Sequence, residues 1–254
     1  MTDLFSLKSK VALVTGGSRG LGRAMAEAMA ASGAHVVLNG RDKVMLERAA
    51  ADISAKGGKA SIAPFDVNGE AAVKRTMGEL RAAHGGIDIL FNNAGIVARG
   101  LIAQSQTADW RRVMETDLTS LYVVAREAVA IMAGRGGGRI VNMSSIMGLV
   151  GRPTVSSYIT AKHGVIGLTR ALAAEFGPQG ITCNAIAPGY FATDINADIR
   201  KDEKFNAMVK ARTPLGRWGD PRELGGVAVF LASAASSYVN GHILVVDGGV
   251  TATL

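Results

Sequence analysis

Short runs of apolar and β-branched residues recur along the chain at Val11–Thr15, His35–Leu38, Ser61–Phe65, Ile87–Asn92, Arg139–Met143, Ile181–Ala187 and Ile243–Val246. They are nearly continuous rather than alternating, the pattern of strands covered on both faces. Between them lie longer segments with helical period, at Leu21–Ser32, Asp42–Lys56, Gly69–Ala83, Thr107–Ala133, Ser157–Gly177 and Pro221–Ala235. Strands that alternate with helices imply βαβ crossovers. The pattern therefore predicts an α/β chain, a doubly wound parallel sheet of about seven strands, in a single domain over residues 1–254. Ligands of such sheets bind beyond the carboxyl ends of the strands, so candidate chemistry belongs there.

The segment Thr107–Ala133 carries an apolar stripe of Trp110, Val113, Met114, Leu118, Leu121, Tyr122, Ala125, Ala128, Val129 and Met132, in steps of three and four. Asp117 falls on that stripe. A carboxylate on a buried face is costly unless it is paired or hydrogen-bonded. Asp117 is thus either satisfied structurally or used.

Composition narrows the class. With 48% hydrophobic and 19% charged residues, 6 prolines and 32 glycines, the chain is globular rather than disordered, and the glycines need specific places. A lone cysteine, Cys183, excludes an internal disulfide. The start of the chain has no signal-peptide layout, and the longest apolar stretch, around residues 225–235, is far short of the ~20 residues that span a bilayer. The expectation is a cytoplasmic protein with no membrane partner. A formal charge of +7 invites a nucleic-acid reading, but no basic run exceeds two residues and aromatics make up only 5%. A solvated basic surface with a few cations kept for a phosphate ligand accounts for the charge, so no nucleic acid is expected. His35, His84, His163 and His242 lack metal-ligand spacing, and no metal is expected.

The first predicted strand runs into Thr15-Gly16-Gly17-Ser18-Arg19-Gly20-Leu21-Gly22 and then a helix. Glycines there permit a tight turn and let backbone N–H groups reach a pyrophosphate at the helix N-terminus. Gly16, Ser18, Arg19, Gly20, Leu21 and Gly22 are accordingly candidate dinucleotide-binding residues, with a TGxxxGxG spacing. The end of the second strand selects the dinucleotide. An acid there would accept hydrogen bonds from the 2′-hydroxyl of NAD, but the sequence reads Asn39-Gly40-Arg41. Two guanidinium groups, Arg19 and Arg41, suit a 2′-phosphate. NADP is expected ahead of NAD, with Asp42 one position late for a ribose acceptor.

Tyr158 and Lys162 are four apart and share a helix face. A phenol that ionises near pH 10 is a poor base at neutrality, and a nearby ammonium favours its phenolate. Thirteen residues earlier, at a predicted strand end, Ser145 offers a hydroxyl that can hydrogen-bond a substrate carbonyl and stabilise developing charge.

Together these pieces, with Asp66-Val67, Asn92-Asn93-Ala94-Gly95, Pro188-Gly189, Thr193 and Val246-Asp247-Gly248-Gly249, resemble the classical short-chain dehydrogenases/reductases over essentially the whole chain. The resemblance implies a Rossmann-type fold, a homotetramer, and interconversion of a secondary alcohol and a ketone by hydride transfer. It implies Ser145, Tyr158 and Lys162 as the catalytic set, the last two also touching the cofactor. Asp66 and Val67 would flank the adenine, Asn93, Ala94 and Gly95 would line the cofactor, and Ile186, Pro188, Gly189 and Thr193 would seat the nicotinamide. At the family's fourth catalytic position, an asparagine, stands Asp117. That residue is implied to act through its backbone carbonyl.

Within the family, Asp3–Leu7, Val37–Arg41, Pro188–Thr193 and Arg212–Gly219 are most similar to the gluconate 5-dehydrogenase branch, which implies a sugar-acid substrate. The middle departs from that branch at Ala98-Arg99 and Met143-Ser144-Ser145. A sugar acid needs a cation for its carboxylate, and Arg99 and Arg152 are either that cation or ordinary loop arginines. A 3-oxoacyl-[acyl-carrier-protein] reductase is the enzymatic alternative. A non-catalytic NADP sensor is the alternative from another class, disfavoured because all of Ser145, Tyr158 and Lys162 are present.

Overall fold

In the computed structural model, residues 4–253 are described, and Asp3 of the N-terminal motif lies outside them. The apolar runs become β1 (Val11–Val14), β2 (His35–Gly40), β3 (Lys59–Pro64), β4 (Ile89–Asn92), β5 (Gly138–Met143), β6 (Ile181–Pro188) and β7 (Ile243–Val246). All pair in parallel, in the order β3-β2-β1-β4-β5-β6-β7. The order reverses at β1, between β2 and β4, which opens a crevice at the carboxyl ends of these strands.

The connecting helices are α1 (Gly20–Ala31), α2 (Lys43–Ala55), α3 (Glu70–His84), α4 (Thr107–Met114), α5 (Ser120–Ala133), α6 (Ser156–Phe176), α7 (Ala197–Lys201), α8 (Glu203–Arg212) and α9 (Leu224–Ala232). Alternate residues of β1 show why the runs are continuous. Ala12 and Val14 join a core with Met25 and Met29 of α1 and Leu224 and Ala228 of α9. Leu13 points the other way, into a core with Met77 of α3 and Val124, Ala128 and Met132 of α5. Each fully buried large side chain contributes about 1.5–3 kcal/mol relative to exposure. Cys183 lies in the second core, where burial pushes its thiol up to about 12.

Three features differ from the sequence pattern. The expected helix Thr107–Ala133 is interrupted by a π-helical turn, Glu115–Thr119, that separates α4 from α5. Such turns insert one residue and re-aim those around it. Trp110 and Tyr122, part of the apolar stripe, are 39% and 48% exposed, whereas Asp117 is fully buried. Periodicity marks a face as apolar but not what covers it. Finally, α7 and α8 had no expected counterpart. Val209 is the buried residue of α8 and α7 has none, so neither carries a core-facing stripe to reveal it.

Candidate active site

The glycine-rich loop is strapped to the end of β4. Thr15 Oγ1 accepts hydrogen bonds from the amides of Asn93 (2.9 Å) and Ala94 (3.0 Å). The Asn93 side-chain amide donates to the carbonyls of Thr15 (2.9 Å) and Gly16 (3.2 Å). This close approach dictates the glycines. Gly16 has φ +63°, and a Cβ on it would sit 2.9 Å from Asn93 Nδ2. A Cβ on Gly22 would collide with Asn93 Nδ2 and the Gly16 carbonyl. The loop delivers α1 with no side chain capping its N-terminus and no acid in its first turn. Its free N–H groups and positive dipole end thus face the crevice uncompensated.

At the end of β2 the competing acid is removed from consideration. Asp42 caps α2, accepting from the Met45 amide at 3.1 Å. Asn39 is buried, and its amide nitrogen is spent on the carbonyls of Ala63 (3.1 Å) and Phe65 (3.0 Å). Arg19 and Arg41 are both exposed and have no ion-pair partner among the described residues. Two free guanidinium groups beside an uncapped helix N-terminus fit a dinucleotide that carries an extra phosphate.

A cleft of about 700 Å³ runs from there across the strand ends. It is lined by Gly16, Ser18, Arg19, Gly20, Leu21, Asn39, Arg41, Asp66, Val67, Asn93, Ala94, Gly95, Pro188, Gly189 and Thr193, and at its far end by Asp117, Ser145, Tyr158 and Lys162. The fold therefore assembles the sequence-derived residues in one place, with two exceptions. Gly22 does not line the cleft, because it packs behind the loop against Gly16 and Asn93. Ile186 is fully buried within β6, where its carbonyl accepts from the Ser144 amide at 2.8 Å.

Around Lys162 the packing is tight. Its Nζ donates to the Met143 carbonyl at 2.9 Å and lies 3.1 Å from Asp117 Oδ2 and 5.3 Å from the centre of the Tyr158 ring. Both members of the Lys162–Asp117 ion pair are buried. Asp117 Oδ1 accepts from the Ile96 amide at 2.8 Å, while Oδ2 faces the Lys162 ammonium. Burial works against the ammonium, but the charges of Asp117 and Tyr158 outweigh it and raise the Lys162 pKa above its ordinary 10.5. Gly95 leaves the room this needs: a Cβ there would lie 2.9 Å from Asp117 Oδ2. Ser145 is buried at the end of β5, where its Oγ accepts from the Met147 amide at 3.1 Å and fixes the following turn. That turn packs against α6, since a Cβ on Gly148 would come within 2.8 Å of the Lys162 carbonyl.

Arg99 and Arg152, the two candidate cations, line the cleft together with Ile96, Met147, Asn196 and Ile199, which escaped the sequence reading. Arg152 is half-buried, its guanidinium 4.7 Å over the ring of Phe205 on α8. Phe205 in turn meets Tyr190 edge-on at 6.0 Å, and Tyr190 meets Trp218 at 5.7 Å. Arg152 and Tyr190 line the cleft, and Phe205 and Trp218 pack against them outside its lining. The aromatic group's one signal in the sequence is the clustering of aromatics at Tyr190–Phe191, Phe205 and Trp218, in a chain otherwise poor in them. Thr154 has φ +72°, an unusual value for a β-branched residue, and its carbonyl accepts from the Gly100 amide at 2.9 Å. That bond joins the Arg99 and Arg152 segments. Neither arginine has a carboxylate partner among the described residues, whereas Arg112 nearby is paired with Asp109.

Known proteins resemble this chain in sequence and fold. A family described as enoyl-(acyl carrier protein) reductase matches residues 16–251. The chain is 44% identical to the gluconate 5-dehydrogenase of Gluconobacter oxydans (strain 621H) over 252 residues, covering 99% of this chain and 98% of that protein. It is 43% identical to a 2-dehydro-3-deoxy-D-gluconate 5-dehydrogenase of Formosa agariphila over 256 residues, covering 99% and 96%. The crystal structure of a gluconate 5-dehydrogenase from Burkholderia cenocepacia J2315, in complex with NADP and tartrate, superposes with a TM-score of 0.96 at 40% identity, covering 99% of each chain.

Proposed function

This chain belongs to the short-chain dehydrogenase/reductase family, oxidoreductases acting on CH–OH and C=O groups, and on that premise we propose that it interconverts a gluconate-type sugar acid and its 5-keto form with NADP. The observation that carries the reading is the buried Lys162 ammonium against the Tyr158 ring, in the same cleft as Ser145. A bound nicotinamide supplies the hydride for reduction and takes it back in oxidation. The protein's own part is to place the carbonyl and move a proton. Ser145 Oγ hydrogen-bonds the substrate oxygen and stabilises charge that grows on it. Tyr158 passes its phenolic proton to that oxygen during reduction and takes it back during oxidation. The Lys162 ammonium stabilises the phenolate left behind, at a separation where charge still acts strongly in a shielded site.

NADP is favoured by the free Arg19 and Arg41 guanidinium groups and by the commitment of Asp42 to capping α2. A sugar acid is favoured by the unpaired cations Arg99 and Arg152 at the catalytic end, and by the B. cenocepacia relative's binding of tartrate, itself a hydroxy acid. A homotetramer would cover the exposed Trp110 and Tyr122 of the α4–α5 face and Leu215 and Val245 near the β7 edge. A cytoplasmic location suits a chain whose lone cysteine is buried and free.

Steady-state assays with 5-ketogluconate and acetoacetyl thioester, each with NADPH, test the reading. The expected result is a kcat/KM at least about tenfold higher for the sugar acid, abolished by Tyr158→Phe. A preference for the thioester would transfer the assignment to acyl-carrier-protein chemistry. NADPH binding without turnover of any carbonyl would leave a sensor.

A further inference from the structure

Three ionisable groups meet at the catalytic end of the cleft, and the sum of their charges constrains which way a proton moves. Lys162 is 3% exposed and Asp117 0%, so neither is screened by bulk solvent. They lie 3.1 Å apart, and Asp117 Oδ2 has no partner other than that ammonium among the described residues. The backbone is arranged to keep the carboxylate there. The π-helical turn carries Asp117, the Ile96 amide fixes Oδ1 at 2.8 Å, and the missing side chain of Gly95 vacates the space beside Oδ2.

A lone ammonium beside Tyr158 would make ionisation of the phenol a neutralising event, a plus charge acquiring its minus. Here the ammonium is already neutralised by Asp117. Ionising Tyr158 leaves the buried Lys162–Asp117 pair and the half-buried phenol beside it with a net negative charge, which the low dielectric around the pair penalises. The other charged side chains along this end do not restore the balance. Arg99, Arg112 and Asp194 are exposed, Arg112 is paired with Asp109, and the half-buried Arg152 is stacked on Phe205. On α6 itself His163 is exposed, its Nδ1 3.0 Å from the Ile159 carbonyl.

We propose that Asp117 is a positioning residue whose carboxylate, acting through Lys162, keeps the proton on Tyr158 and so poises the site to donate a proton to a ketone rather than to take one from an alcohol. The inference rests on Tyr158 carrying the proton. In the reductive direction the O–H bond of Tyr158 breaks as an O–H bond forms on the substrate, and the phenolate then faces a pair that cannot fully stabilise it. Recapture of a proton is thereby favoured, and the oxidative direction calls for alkaline conditions.

Asp117→Asn is the informative variant, because the amide oxygen still accepts from Ile96 and the Lys162 ammonium keeps the Met143 carbonyl. Two readouts are needed. Near-ultraviolet tyrosinate absorbance of the ligand-free protein, with Tyr158→Phe identifying the relevant signal, is expected to show phenolate at lower pH in Asp117→Asn than in the wild type. The rising limb of alcohol oxidation is expected to move down by about one pH unit, raising the oxidative rate about tenfold at a fixed pH on that limb. An unmoved limb together with an unmoved tyrosinate signal overturns the proposal. So does loss of turnover in both directions at every pH in a folded Asp117→Asn protein. If that variant does not fold, the wild type still decides: a Tyr158 tyrosinate signal that appears before those of the other tyrosines contradicts a phenol held protonated. Full turnover by Tyr158→Phe would instead remove the proton-carrier reading itself, whatever Asp117 does.

Discussion

Substituting Gly40 with aspartate asks whether the end of β2 reads a phosphate. The backbone tolerates the side chain: a Cβ at Gly40 would meet Leu46 Cδ2 at 3.4 Å and Ser18 Oγ at 3.7 Å, both ordinary contacts. Steric cost is therefore small, and the effect is electrostatic. The new carboxylate stands next to exposed Arg41, on the side of the loop that carries Arg19. Two unit charges ~4 Å apart interact by about 1 kcal/mol in water and about 4 kcal/mol at the effective dielectric of a protein surface. The rim is open and two guanidinium groups remain, so a penalty of about 2–3 kcal/mol against the 2′-phosphate follows, or about 30- to 160-fold in Kd for NADPH. The same carboxylate accepts hydrogen bonds from an unphosphorylated ribose, so NADH should bind tighter rather than weaker. Calorimetric titration of the folded variant with each nucleotide gives both numbers, and the ratio of kcat/KM values should follow. An NADPH affinity within about threefold of wild type, at unchanged Tm, would place the phosphate elsewhere and refute the assignment of Arg19 and Arg41.

Asp42→Ala removes the cap of α2 and should lower stability by about 1 kcal/mol while leaving the NADPH/NADH preference unchanged; denaturant melts and nucleotide titrations check both halves. Lys162→Met orphans the buried Asp117 carboxylate and should cost about 3–5 kcal/mol, most of it recovered in Lys162→Met/Asp117→Asn without recovery of turnover. Because the Lys162 pKa is raised on folding, the stabilisation from its ammonium is complete below pH 10.5 and disappears as pH climbs through the raised value. Tm measured against pH should therefore fall more steeply on the alkaline side in wild type than in that double variant. Arg152→Ala should raise KM for a sugar acid about tenfold while leaving KM for a neutral secondary alcohol and Kd for NADPH in place. An equal rise for both substrates would assign Arg152 to holding α8 through Phe205.

What could be read in advance follows from what each feature depends on. The strands, the TGxxxGxG turn and the Tyr158/Lys162 spacing are set by residues close in sequence, so period and spacing expose them. Asp42 looked like a near-miss for a ribose acceptor, and only the register of α2 shows it bonded to Met45. The Arg152–Phe205 stack joins residues 53 positions apart through helices that bury almost nothing, so no local pattern announces it.

By itself the sequence determined that alternating apolar runs and amphipathic segments must form a doubly wound parallel sheet. Its glycines and Ser145 belong to strand ends and Tyr158 and Lys162 to one helix face, because backbone sterics and helical repeat act over a few residues. Tertiary structure alone decided what each charge faces. Asp117 stood on an apolar stripe where a carboxylate needs a partner, and the fold supplies one: a π-helical turn and the gap at Gly95 bring it 3.1 Å from Lys162. Trp110 and Tyr122, on the same stripe, came out exposed. Charge and burial depend on neighbours supplied by distant segments, and those are chosen by packing rather than by periodicity.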